Sequence, residues 1–209
     1  MALDLEEQEQ IDEAKAWWNQ HGNKVIWGVT AFLLVAAGWR AWDHWSHKQG
    51  YEASALFDKA LQSETMGDAK TAKAAAAQIM DNHARSAYAT PAAWLSARLS
   101  LDSGDAKSAM AQYQFALDHA SDDGVAQLAR LRLAGVRLDA KDPAGALKLL
   151  EGPFDPAFQG LAAQLKGDVL TAMNKPVEAK AAYKEAIEKL GDKSPLKSMV
   201  EIRLDALGG

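Results

Sequence analysis

The sequence predicts an all-α protein: one N-terminal transmembrane helix followed by a tetratricopeptide-like solenoid of helical hairpins. Three observations carry this. A charge-free run lies between Lys24 and Arg40, six of the seven tryptophans cluster around it, and the chain after Tyr51 repeats a helix-turn-helix pattern with a period of 33 to 37 residues. The 209 residues are 48% hydrophobic, which supports a sizeable core and argues against wholesale disorder.

The chain opens on an acidic leader, residues 1–23. Through Lys24 it carries Asp4, Glu6, Glu7, Glu9, Asp12 and Glu13 against Lys15 and Lys24. Ile11, Ala14 and Trp18 fall at helical spacing, so the leader is expected to be helical and to run into the next segment. It reads as a solvated surface helix.

The anchor is placed at residues 24–46. The fifteen residues between Lys24 and Arg40 rise only ~22 Å as a helix, short of a ~30 Å hydrocarbon layer. The tryptophans lengthen it. From Trp18 to Trp39 is ~32 Å along a helix, about one hydrocarbon thickness. Indole rings favour the headgroup boundary, where the ring is apolar and its N–H stays wet. Val25, Ile26, Trp27, Val29, Phe32, Leu33, Leu34, Val35 and Trp39 form the anchor, apolar on all faces as lipid contact demands. Trp17, Trp18, Lys24, Arg40, Trp42 and Trp45 form the interfacial belt, with the two cations snorkelling outward. Val35 and Ala37 have the small-residue spacing of a signal-peptidase site. A signal's leading region is short and positive, however, and this one is long and acidic. Lysine and arginine are balanced across the span, so charge does not assign its orientation.

The polar stretch His47–Tyr51 reads as a linker, with Gly50 as hinge or helix start. The repeat domain is placed at residues 47–209. Its breaks, "MGDAKTA", "SGDAKSA", "AKDPAGA" and "MNKPVEA", align on Ala72, Ala109, Ala146 and Ala179, at spacings of 37, 37 and 33. This is the signature of a two-helix repeat. Ala97, Ala134 and Gly167 mark close helix approach in first helices. Tyr113, Leu150 and Tyr183 fill the space between units, and Ala76 replaces the ring in a degenerate first repeat. Pro143 and Pro176 sit early in second helices, where a missing N–H costs little. Pro153 and Pro156 make a tight connection. Four helix pairs are expected, plus a closing helix over about Leu196–Leu207. Leu196, Met199, Val200, Ile202 and Leu204 would give that helix an apolar stripe to cap the stack.

Composition excludes several classes. Residues 50–209 carry 21 acids against 19 Lys or Arg, not the basic excess that nucleic acid requires. Cysteine is absent, so disulfides and thiolate metal sites are excluded. No phosphate loop, nucleophile elbow or metalloprotease motif occurs. Asp43, His44 and His47 form the nearest approach to a metal cluster, but two loose imidazoles do not close a site. No cofactor is expected, and the body reads as non-catalytic. What remains is a surface formed mainly by first helices, where the repeat phase places Trp94, Arg98, Gln164 and Asp168. Trp94 reads equally as core between helices.

The order of parts resembles the YfgM-type ancillary subunits of the bacterial SecYEG translocon. Four stretches carry the resemblance: "EAKAWWNQHGNK" in the leader, Gly38-Trp39-Arg40-Ala41-Trp42 closing the anchor, "LARLRLAGVRLDAKDPAGALKLLEG" (Leu128–Gly152) and "AQLKGDVLTAMNKPVEAKAAYKEAI" (Ala163–Ile187). The resemblance implies a single-pass protein of a bacterial inner membrane, its N-terminus cytoplasmic and its repeats periplasmic. It implies association with the SecYEG translocon and the periplasmic chaperone PpiD, and assistance to exported polypeptides. It also implies a second role in restraining the RcsB stress-response regulator. The repeat around Ala72 departs from the family ideal. Two alternatives are an envelope scaffold for cell division or outer-membrane assembly, and a membrane-bound enzyme with an unrecognised site.

Overall fold

Alanine and leucine lose little side-chain freedom in a helix, and these are the commonest residues after Tyr51. The structure, a computed structural model, describes residues 2–191 and 194–208, giving the backbone alone for 2–8, 46 and 47. The described residues form helices α1 (Ala2–Thr65), α2 (Ala69–Asn82), α3 (Ala89–Asp102), α4 (Ala106–Asp118), α5 (Asp123–Asp139), α6 (Pro143–Leu150), α7 (Pro156–Ala172), α8 (Pro176–Lys189) and α9 (Pro195–Ala206), without a strand.

The chain divides into two units, Met1–Gln49 and Gly50–Gly209. The division falls inside the stretch read as a linker, yet helical bonding continues through Gly50 as part of α1. A glycine within a helix weakens it without ending it.

In the second unit four helix pairs follow one another. The last turns of α1 share core clusters with α2, Ala53 with Ala76 and Ile79 and Ala60 with Ala75; α3 pairs with α4, α5 with α6 and α7 with α8, and α9 closes on α8. Each hydrophobic cluster draws only on neighbouring helices. Ala97, Tyr113 and Leu133 join α3, α4 and α5, whereas Ala163, Tyr183 and Val200 join α7, α8 and α9. Neighbour-only packing is what makes a solenoid.

The aligned residues Ala72, Ala109, Ala146 and Ala179 are all completely buried. Twelve residues before each stand Ala60, Ala97, Ala134 and Gly167, also buried. In the second and third pairs the two alanines share one core cluster, Ala97 with Ala109 and Ala134 with Ala146, and a larger side chain there would force the helices apart. Gly167 is the tightest. A Cβ there would lie 2.5 Å from Tyr183 Cδ1, well inside contact.

The turn inside each pair is built the same way four times. Gly67, Gly104, Lys141 and Asn174 adopt positive φ, between 59° and 78°. The next amide then donates to the carbonyl five residues back, as in Asp68 N to Ser63 O at 2.8 Å and Lys175 N to Leu170 O at 2.9 Å. This pattern satisfies carbonyls that a helix end leaves bare. Lys141 and Asn174 hold a conformation glycine would adopt without steric cost. In the first three turns the following aspartate caps the next helix. The Asp68, Asp105 and Asp142 carboxylates accept from Thr71, Ser108 and Gly145 amides at 3.0, 3.0 and 2.9 Å. Lys175 stands at the fourth cap position and supplies no side-chain cap. Pro143, Pro156, Pro176 and Pro195 each begin a helix, so Pro156 starts α7 as well as closing the connection before it.

The closing helix differs from expectation in its stripe. Val200 is buried and Leu196 and Leu204 are half-buried, but Met199 and Ile202 face solvent, Ile202 at 66% exposure. The helix packs on one side only, so the periodic pattern is wider than the face it buries.

Gly167→Ala is expected to destabilise the repeat unit by about 1–3 kcal/mol through overpacking, read by denaturant unfolding followed by circular dichroism. A midpoint unchanged from wild type would show that the Tyr183 ring moves aside freely.

The cap amides impose a pH dependence. The Gly145 amide, foremost, and the Arg137 guanidinium hold the Asp142 carboxyl below its ordinary value of 3.8. Its stabilisation is therefore present above that unfolded-state value and is lost as pH falls through the lower folded-state one. Asp142→Ala should lower the melting temperature by roughly 2–4 °C at pH 7 and melt with wild type near pH 2. An equal deficit at both pH values would contradict the cap's ionic character.

Candidate functional site

In the first unit the site is a surface of one helix. α1 contains a stretch long and apolar enough to cross a membrane, and none of it is buried within the protein. Trp27, Phe32, Leu34, Val35 and Trp39 are each more than two-thirds exposed. Exposure of this much contiguous apolar surface marks an interaction site, and an all-round apolar rod fits lipid. The flanking indoles are ordered by their own helix. Trp17 stacks on the His21 ring at 5.3 Å between centroids. Trp18 lies against Gly22, where a Cβ would come within 3.0 Å of the indole. At the other end Trp42 and Trp45 meet at 5.5 Å. Val25 is half-buried, and Ile26, Val29 and Leu33 are exposed, as are Lys24 and Arg40. The side chain of His47 lies outside the described residues. Among the described residues no group of three or more histidines and carboxylates is placed to hold a metal.

In the second unit the four residues expected on one surface have different partners. Gln164 lines a hollow of ≈350 Å³ between α5 and α7, with Leu128, Arg132, Asp139, Leu161 and Leu165 around it. Its Oε1 is buried there without a hydrogen-bond partner. Arg98 is engaged instead with Glu64 at the end of α1. Asp168 accepts both oxygens' worth of contact from the Arg203 guanidinium of α9 and a hydrogen bond from Tyr183 Oη at 2.7 Å. It ties α9 to α7 and is spent in doing so. Trp94 is half-buried and packs with Tyr113 and Leu133 on one side and Ala93, Ala116 and Ala129 on the other. Its edge reaches a different hollow, at the end of the helices.

Sequence reasoning missed Leu128, Arg132 and Asp139. They stand four and seven apart on α5, so helical spacing on a first helix was the available signal. Arg130 was missed as a structural clamp. Its Nη2 donates to Pro153 O at 2.9 Å and its guanidinium lies 3.8 Å from the Phe154 ring centroid. Burial of that guanidinium pulls its pKa downward. With Gln127 Oε1 accepting from Asp155 N at 2.7 Å, it fixes the loop before α7. Burial likewise raises the phenols of Tyr113 and Tyr183.

These features define a class: an all-helical repeat protein whose N-terminal helix is long and apolar enough to cross a membrane. The chain belongs to the tetratricopeptide repeat-like domain family, whose model matches residues 15–209. The resemblance read from the leader, anchor and repeats is borne out by three similar proteins, each named "Ancillary SecYEG translocon subunit". That of Neisseria gonorrhoeae is 26% identical over 211 residues, covering 99% of this chain and 100% of its own. That of Haemophilus influenzae is 33% identical over 92 residues, 43% of each chain. That of Aggregatibacter actinomycetemcomitans is 27% identical over 105 residues, 49% of this chain and 50% of its own.

Leu34→Arg places a cation at the middle of the apolar stretch, at a cost of about 2.5–3.5 kcal/mol in a bilayer. The wild-type chain should stay with membranes through alkaline carbonate extraction and the variant should be released in part. Complete release of the wild type would sink the reading of α1 as a span.

Proposed function

We propose that this protein is a non-catalytic, membrane-anchored adaptor of the protein-export machinery. In this reading it is an ancillary subunit of a SecYEG translocon in a bacterial inner membrane. The leader faces the cytoplasm, residues 24–46 cross the bilayer, and the repeats from residue 47 onward stand in the periplasm. There they meet the chaperone PpiD and newly exported polypeptides. The leader is the part that would meet a cytoplasmic regulator such as RcsB.

The observation that carries this reading is the end-to-end alignment with the Neisseria protein. Tetratricopeptide-like repeats occur in many settings, so the family match by itself names no partner. A relative that matches leader, apolar stretch and repeats in one alignment is more specific. The chemistry agrees. The hollow beside Gln164 offers aliphatic walls with Arg132 and Asp139 at hand, which suits a polypeptide segment of mixed character.

A photo-activatable residue at Arg132 or Gln164 of the full-length protein, irradiated in growing cells, should crosslink to translocon subunits or to the periplasmic chaperone. Crosslinks confined to wall-synthesis or outer-membrane assembly proteins would overturn the export role. Protease access from each membrane side should cut the repeats from the periplasm; cleavage from the cytoplasm alone would overturn the orientation.

A further inference from the structure

The closing helix α9 is held by packing and by a charged fork. The packing is Val200, completely buried with Tyr183 and Leu170, with Leu204 and Leu207 beside it. The fork is the Arg203 guanidinium. Its Nη1 donates to both carboxylate oxygens of Asp168, which also accepts from Tyr183 Oη at 2.7 Å. Its Nη2 points elsewhere, to Met199 Sδ at 3.8 Å, one turn earlier on the solvent side of α9. A thioether is a weak acceptor, so this second arm of the fork is poorly used.

The geometry suits a stronger acceptor at the same place. A two-electron oxidant adds one oxygen to a methionine sulfur and turns an apolar group into a polar one. An S–O bond of ~1.5 Å and a hydrogen bond of ~2.9 Å meeting at ~120° span ~3.9 Å from sulfur to nitrogen. Met199 Sδ and Arg203 Nη2 already stand at nearly that separation. Asp168 engages Nη1, so a sulfoxide oxygen takes Nη2 without displacing the carboxylate. With both arms engaged, the guanidinium is fixed in the plane that meets Asp168, and less freedom is lost in making that tie.

The sulfur is open to reagent, since Met199 is 36% exposed. Met66, at 68% in the turn between α1 and α2, is more exposed, but among the described residues no donor reaches its sulfur. Met80, Met110 and Met173 pack against hydrophobic clusters, where an added oxygen disrupts.

We propose that Met199 is a modification site for oxidants of the peroxide class, and that Arg203 receives the sulfoxide, so that oxidation steadies α9 on α7. In the step a sulfur lone pair attacks one peroxide oxygen; the S–O bond forms as the O–O bond breaks. The departing hydroxide takes the proton left on the transferred oxygen and leaves as water. Sulfur gives up two electrons and the peroxide takes them. Methionine oxidation ordinarily loosens packing, and here its sign is reversed. This goes beyond the export role and does not rest on it, since it uses the repeat unit alone.

The test uses the full chain in lipid nanodiscs, treated with hydrogen peroxide and then freed of it. Peptide mass spectrometry reads the added oxygen at Met66 and Met199, and amide hydrogen exchange reads α9. Met199 should be converted within about a factor of ten of the rate of Met66, as its exposure allows. Exchange over residues 199–206 should then slow by about three- to tenfold, the factor that one added hydrogen bond supplies. Met199→Leu should show no such slowing on treatment. Met199→Gln, whose amide oxygen can take the place of the sulfoxide oxygen, should slow exchange without oxidant. Met199 left unmodified when Met66 is fully converted, exchange over 199–206 unchanged or faster after conversion, or the same slowing in Met199→Leu would each overturn the proposal.

Discussion

The repeat unit depends on how closely two helices approach at one point in each pair. There the chain places small buried residues: Ala60 with Ala75, Ala97 with Ala109, Ala134 with Ala146, and finally Gly167 under the Tyr183 ring. Small residues let backbones come together, and the larger neighbours then fill the space created. In the second and fourth pairs those neighbours are Tyr113 and Tyr183, and in the third Leu150. The first pair has Ala76 at that position and draws on Ile79 and half-buried Phe57 instead. The degenerate repeat thus solves the same packing problem with residues from other positions.

The turns complement the crossings. A positive-φ residue followed by an aspartate closes one helix and opens the next within a few residues. Each pair is thereby held antiparallel by local bonds, independently of its neighbours. The last pair lacks the aspartate but gains a longer-range tie, from Arg203 of α9 to Asp168 of α7 with the Tyr183 hydroxyl alongside. This tie fastens α9 across the α7–α8 pair, which the turn of that pair does not do by itself.

The first unit follows a different rule. Among the described residues its apolar window is unburied, and the contacts of its flanking indoles lie within one helix: Trp17 on His21, Trp18 on Gly22, Trp42 on Trp45. Gly22 matters here because it leaves room for an indole to lie flat on the backbone. The two units share one chain and treat apolar surface differently: the repeats bury it among themselves, and the apolar stretch of α1 keeps it on the outside.

Much of this was legible in the residues alone. Helical periodicity, the alanine register and the tryptophan bracket are local signals, and each sets a local outcome: helix, crossing point, apolar rod. Gly167 was readable as a close approach because nothing but a small residue suits one. The candidate surface was less legible. Trp94, Arg98, Gln164 and Asp168 share a repeat phase, but phase gives only the side of a helix, and not what stands opposite. Glu64 takes Arg98, Arg203 takes Asp168, and the α3–α4–α5 core takes most of Trp94, leaving Gln164 with Arg132 and Asp139. The sequence by itself determined the helices, their pairing and a rod long and apolar enough to cross a membrane, because those follow from contacts near in the chain. Only the tertiary structure decided which polar groups stay unmatched, because a charge is spent or spared by partners that lie 34 or 35 residues away.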